Sequence, residues 1–153
     1  YLMKKNFNVL GYRHTGINCR NLKKSINFYC NYLGFKKFIH AKESSKYMDT
    51  IYNMKNLKLE TMKLKMKNAD ILELIKYKSH PTKKKVSKIH DVGILHFAVQ
   101  VDNLDKTYKF LKSKKIKLLS KPTLSTEKFA KVCFCFDPDG TRIELVEILY
   151  KKY

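Results

Sequence analysis

The sequence predicts an α+β fold made of two successive copies of a strand–helix–three-strand unit. A histidine followed at the seventh and eighth positions by Asn-Leu occurs twice: His14 with Asn21-Leu22, and His96 with Asn103-Leu104. Each copy then runs through a helical apolar stripe and ends in a short apolar strand holding one carboxylate, Glu73 in ILELI and Glu144 in RIELVEI. The copies align at an offset of 82 residues, which also matches Ile26 with Tyr108 and Tyr29 with Leu111. A repeat of that length is a duplicated module rather than a solenoid.

In chain order, residues 12–19 read as a strand. Asn21 is a good helix N-cap, and Leu22, Ile26, Tyr29 and Leu33 fall at i, i+4, i+7 and i+11, the spacing of one helical face. Gly34 supplies the left-handed residue that stops this helix. Strands are expected at 35–41, 47–54, 57–66 and 69–77, with Asn68-Ala69-Asp70 as a hairpin turn. A polar stretch with Pro81 forms a linker at 79–91 between module 12–78 and module 92–149, the whole being a single domain. The pattern restarts with a strand at 94–101 and a helix capped by Asp102 or Asn103 running to about Lys114. Strands follow at 116–119, 130–136 and 141–149. Asp137-Pro138-Asp139-Gly140 is a turn in which Pro presets φ and Gly accepts a positive one.

Composition narrows the class. A chain of 153 residues with 44% hydrophobic and 30% charged residues can bury a core of its own. No apolar run approaches the roughly 20 residues of a membrane span, and no membrane partner is expected. No export signal is read at the N-terminus, where Met3 is the expected natural start. The four cysteines are therefore expected to be reduced thiols in a cytoplasmic protein. Cys133 and Cys135 share one face of a strand, and core filling is the preferred reading over metal binding. The net charge of +20 invites a nucleic-acid reading. However, only Arg13, Arg20 and Arg142 offer the bidentate fork, and the lysines are scattered apart from Lys83-Lys84-Lys85 in the linker. No specific nucleic acid is expected.

A duplicated His…Glu pattern can bring four ligands to one centre, so a metal site leads the functional readings. Each residue also has a plainer reading, since a Glu between buried Ile and Leu can simply face solvent. The register of all four across the duplication favours the metal. His40, His80 and His90 read as exposed edge or linker residues. Phe28, Tyr29, Phe97, Phe110 and Phe134 read as core.

The string His14-Thr15-Gly16-Ile17, followed by Asn21-Leu22 and Ser25-Ile26-x-Phe28-Tyr29-x3-Leu33-Gly34-Phe35, resembles the opening motif of the vicinal oxygen chelate superfamily. That superfamily comprises glyoxalase I, methylmalonyl-CoA epimerase, extradiol dioxygenases and antibiotic-resistance proteins. Phe136-Asp137-Pro138-Asp139-Gly140-x2-Ile143-Glu144-Leu145 is similar to its closing motif, and the resemblance spans about 12–149. It implies two βαβββ modules whose curled mixed sheet carries metal ligands in a cleft, at His14, Glu73, His96 and Glu144.

Two His and two Glu match the bacterial glyoxalase I pattern. The implied cofactor is one divalent ion, Ni, Zn, Co, Mn or Fe. The implied reaction is that of a glyoxalase I-like lyase or isomerase on a metal-chelating 2-oxo or hemithioacetal substrate, through an enediolate. Glu144 is the expected base, and Glu73 is a ligand and partner base. The partners implied are a small-molecule substrate, such as a thiol adduct, and a second copy of the chain in a homodimer. Two positions depart from the glyoxalase pattern. Asn18 stands where an Arg clamps glutathione, and Tyr77 stands where an Asn does; Asn cannot reproduce a bidentate carboxylate clamp. The alternatives are an extradiol-type dioxygenase, which a fourth ligand at Glu73 disfavours, and a non-catalytic small-molecule or antibiotic binder.

Overall fold

Side-chain caps start both long helices where the paired Asn-Leu motifs predict them. Asn21 Oδ1 accepts the Lys24 N–H at 3.0 Å and Asn103 Oδ1 accepts the Lys106 N–H at 2.9 Å. Such a cap is worth about 1 kcal/mol. The structure, a computed structural model, describes residues 7–68, 70–83 and 88–150. The first half runs β1 (Thr15–Asn18), α1 (Leu22–Asn31), β2 (Lys36–Glu43), α2 (Lys46–Tyr52), β3 (Leu59–Lys65) and β4 (Ile71–Tyr77). The second runs β5 (His96–Gln100), α3 (Leu104–Ser113), β6 (Thr123–Leu124), β7 (Ala130–Phe136) and β8 (Arg142–Ile148).

Each half builds its own four-stranded mixed sheet, ordered β1-β4-β3-β2 and β5-β8-β7-β6. The first strand of each lies parallel to the last, and the other pairings are antiparallel. Gly34, at φ +77°, ends α1 as expected, and the Phe35 N–H closes back on the Tyr29 carbonyl at 3.0 Å.

One apolar core joins the modules, drawing Phe28, Tyr29 and Leu74 from the first and Leu104, Ile143 and Leu145 from the second. The helices meet through Tyr32 and Phe110, whose rings lie edge to face at 6.1 Å. Two polar ties run beside this contact. The buried Tyr29 hydroxyl donates to Asp137 Oδ2 at 2.9 Å, and Arg20 gives Asp139 both its backbone N–H (2.9 Å) and its Nε–H (2.6 Å). Burial and the adjacent Asp137 push the Tyr29 phenol upward, so it stays a donor. In the Asp-Pro-Asp-Gly turn, Gly140 takes φ +93°. There Asp137 Oδ1 accepts the N–H groups of Asp139 and Thr141.

The structure corrects two strands. Residues 47–54 do not extend; 46–52 form α2. Ser45 Oγ accepts the Met48 N–H, Asp49 sits in the first turn, and Asn53 closes the helix at φ 49°. The apolar residues read as strand alternation instead place Met48 on Leu57, Leu59 and Ile75. Residues 116–119 form a single bridge, Leu118 to Cys135, and pairing resumes only at β6, with Thr123 opposite Val132. Five steps along this strand oppose three along β7, and Pro122 has no N–H to continue the ladder. Ala69 of the expected hairpin turn, and Lys84 and Lys85 of the linker cluster, lie outside the described residues. No described helix is long and apolar enough to cross a membrane.

Cys133 and Cys135 are 1% and 0% exposed within the core, as their shared strand face implied. Burial pushes the thiols of Cys19 and Cys133 up to about 11 and that of Cys135 to about 12. At pH 8 these three are expected to resist a disulfide reagent for hours, with the half-buried Cys30 reacting first and all four reacting in guanidinium. Rapid native labelling of Cys135 would mean that the second sheet opens far more readily than its packing implies.

Candidate metal centre

Strand alternation sets which way the predicted ligands point. Leu72 and Leu74 turn their side chains into the core beneath α1, so Glu73 between them projects from the opposite face. Ile143 and Leu145 do the same in β8 and send Glu144 outward. The register places Gly16 beside Glu73 and Ala98 beside Glu144. His14, immediately before β1, and His96, two residues before Ala98 on β5, turn to those outward faces. His14 Nε2 lies 3.1 Å from Glu73 Oε2, and His96 Nε2 lies 2.8 Å from Glu144 Oε2.

These spacings suit a metal ion. Two cis donors on an ion with bonds near 2.1 Å stand about 3 Å apart, and imidazole nitrogen with carboxylate oxygen is a donor set for first-row divalent ions. The His96 ring also meets the Phe134 ring edge to face at 5.2 Å, and its Nδ1 is buried without a described partner. Nε2 is thereby the nitrogen turned to Glu144.

The structure brings together each His–Glu pair but not the four residues at once. Among the described residues, no three metal-ligating side chains gather at one point. The pairs sit on separate sheets, beside β1 and β5, each an edge strand among the described residues. Those edges border one groove, with Tyr12, Arg13 and Thr15 on one side and the β5 residues from Phe97 to Gln100 on the other.

Sequence reasoning missed three neighbours of the pairs. Lys63 stands across the strand pair from Glu73, with Nζ 3.6 Å from Oε1. Only the β3–β4 register reveals that contact. Tyr52 reaches the same face from α2 and packs edge to face on Tyr77 at 6.4 Å. Burial, then the neighbouring Tyr77 and Glu73, push its phenol upward. It was hidden because α2 reads as a strand. Phe134, read as core, is the cross-strand neighbour of Glu144.

The other histidines stay apart from the pairs. His40 Nε2 meets Glu60 Oε1 at 3.1 Å, and Lys78 meets the other Glu60 oxygen at 3.2 Å; these contacts hold the Glu60 carboxyl below its ordinary range. His80 contacts Ser79, and His90 is exposed.

A family model described as the Glyoxalase/Bleomycin resistance protein/Dioxygenase superfamily matches residues 11–145, and the chain belongs to that superfamily. Solved structures agree on the fold. A glyoxalase family protein from Bacillus cereus superposes with a TM-score of 0.88 at 16% identity, covering 97% of this chain and 100% of that one. A glyoxalase family protein from Enterococcus faecalis gives 0.66 at 25% identity, over 90% and 98%. The trypanothione-dependent glyoxalase I of Leishmania major gives 0.62 at 24% identity, over 88% and 84%. None of the curated proteins matches the chain.

Proposed function

We propose that this protein is a divalent-metal-dependent, glyoxalase I-like lyase or isomerase acting on a small 2-oxo or hemithioacetal substrate. The observation that carries the reading is the pair of His–Glu contacts at 3.1 and 2.8 Å, repeated in both modules on equivalent strands. Held by His14, Glu73, His96 and Glu144, a divalent ion would supply Lewis-acid stabilisation for charge developing on two adjacent substrate oxygens. Glu144 takes the proton from the C–H between those oxygens and returns it to the neighbouring carbon. Glu73 is held from two sides, by His14 and by Lys63, which suits a carboxylate that stays in place.

The four donors gather across a homodimer. In support, β1 and β5 are edge strands with no further partner among the described residues, and the segments leading into them carry apolar side chains in water, with Leu10 97%, Val92 102% and Ile94 93% exposed. In a two-fold dimer the first module of one copy meets the second module of the other, and two equivalent sites form.

The direct test is metal content of the purified protein, followed by turnover of methylglyoxal with glutathione, and with other thiols, at added Ni²⁺ or Zn²⁺. Stoichiometric metal and product formation with at least one thiol are expected. Absence of turnover with every metal–thiol pair would sink the enzymatic reading.

A further inference from the structure

The two modules repeat the ligands but not their neighbours. Glu73 has Lys63 across the strand pair, whereas Glu144 has Phe134 at the equivalent place. A lysine is therefore no general requirement for holding a glutamate on this face. At 3.6 Å, Lys63 Nζ forms an ion pair with Glu73 but lies beyond good hydrogen-bond distance. Among the described residues its ammonium meets no acceptor at such a distance, and its three donors are available to something else.

Charge counting points the same way. Two carboxylates balance a divalent ion, and Lys63 leaves the assembled site with one positive charge in excess. The surroundings are also one-sided. Among the described residues, only the first module inserts a helix over this face, where α2 brings Tyr52 against Tyr77 and closes the end beyond Glu73.

We infer that Lys63 is a specificity-determining residue. It anchors a carboxylate, or an equivalent anionic substituent, of the substrate over the first module, and so turns the reacting C–H toward Glu144 on the second. This rests on the proposed metal-site reading. It also answers what replaces the missing clamp at Asn18: a lysine two strands away on the same face.

Two metal-chelating probes of like chelating chemistry separate the claims. Acetohydroxamate carries no anionic arm, while succinohydroxamate adds a carboxylate. Titrated calorimetrically into Ni²⁺-loaded protein, succinohydroxamate is expected to bind about tenfold more tightly, the scale of one charge-assisted hydrogen bond. The preference should shrink as salt is raised. Lys63→Met should abolish the preference, so that the two probes bind the Ni²⁺-loaded variant alike, and acetohydroxamate binding reports that the variant is folded. Lys63→Arg should retain most of the preference. Equal binding of the two probes, or a preference that survives in Lys63→Met, would overturn the role of Lys63 and leave the metal reading intact. Failure of the protein to hold Ni²⁺, or of both probes to bind the loaded protein, would overturn both.

Discussion

His14→Ala and His96→Ala proteins are each expected to lose metal affinity by about 100-fold or more and to be inactive alone, yet to regain function when mixed. Each substitution removes one nitrogen donor from a His–Glu pair. Loss of a ligand should cost at least as much as loss of its outer-shell partner, which already costs up to about 100-fold. The mixing result separates two architectures. If one site draws on the first module of one copy and the second module of the other, a mixed dimer has one site lacking both histidines and one site intact. Random exchange of equal amounts should then restore about a quarter of the native sites. The measurement is metal stoichiometry and turnover after co-refolding the two variants, with native protein carried through the same steps. Mixed dimers that form without restoring any metal would place all four ligands within one chain. Retention of tight metal by either single variant would remove that histidine from the ligand set.

Asp137→Ala is expected to be the most damaging substitution for stability. Its carboxylate is 5% exposed and accepts three hydrogen bonds, from the Tyr29 hydroxyl at 2.9 Å and from the N–H groups of Asp139 (2.9 Å) and Thr141 (2.8 Å). Truncation strands all three donors and cuts a tie between α1 and the turn that feeds β8. Each stranded buried donor costs about 1–3 kcal/mol, and removal of a buried charged partner typically costs about 3–5 kcal/mol in total. For a chain of this size that is a fall in Tm on the order of 10 °C. Tyr29→Phe removes one donor from the same carboxylate and should cost less. Thermal unfolding of the three proteins under identical conditions checks the order. An Asp137→Ala protein within about 1 kcal/mol of native would mean that water replaces these bonds, against their burial.

The candidate site was legible in the sequence because its residues are marked twice. His14 and His96 each precede an Asn-Leu helix start, and Glu73 and Glu144 each interrupt an apolar strand. Duplication turns four unremarkable residues into a pattern, and alternation along a strand states which face a carboxylate between buried leucines must take. The caps at Asn21 and Asn103 were equally visible, since they depend on contacts three residues away. Segment 47–54 was not. Over so short a stretch, apolar spacing fits a strand or a helix, and the choice fell to Ser45, Asp49 and the landing of Met48 on residues up to 27 positions distant.

Lys63 shows the same limit from the other side. One lysine among so many carries no signal in the chain, and it acquires a role only through the register that sets it opposite Glu73. Local chemistry, through periodicity, caps and turn residues, determined the modules, the helix starts and the outward face of each candidate ligand. Tertiary structure decided that the two halves share a core through Tyr29, Asp137 and the α1–α3 contact, so that the His–Glu pairs lie on separate sheets beside open edges. The physical reason is that local rules reach only a few residues along the chain. Whether four ligands meet depends on how whole sheets pack and which strand edges are left unpaired.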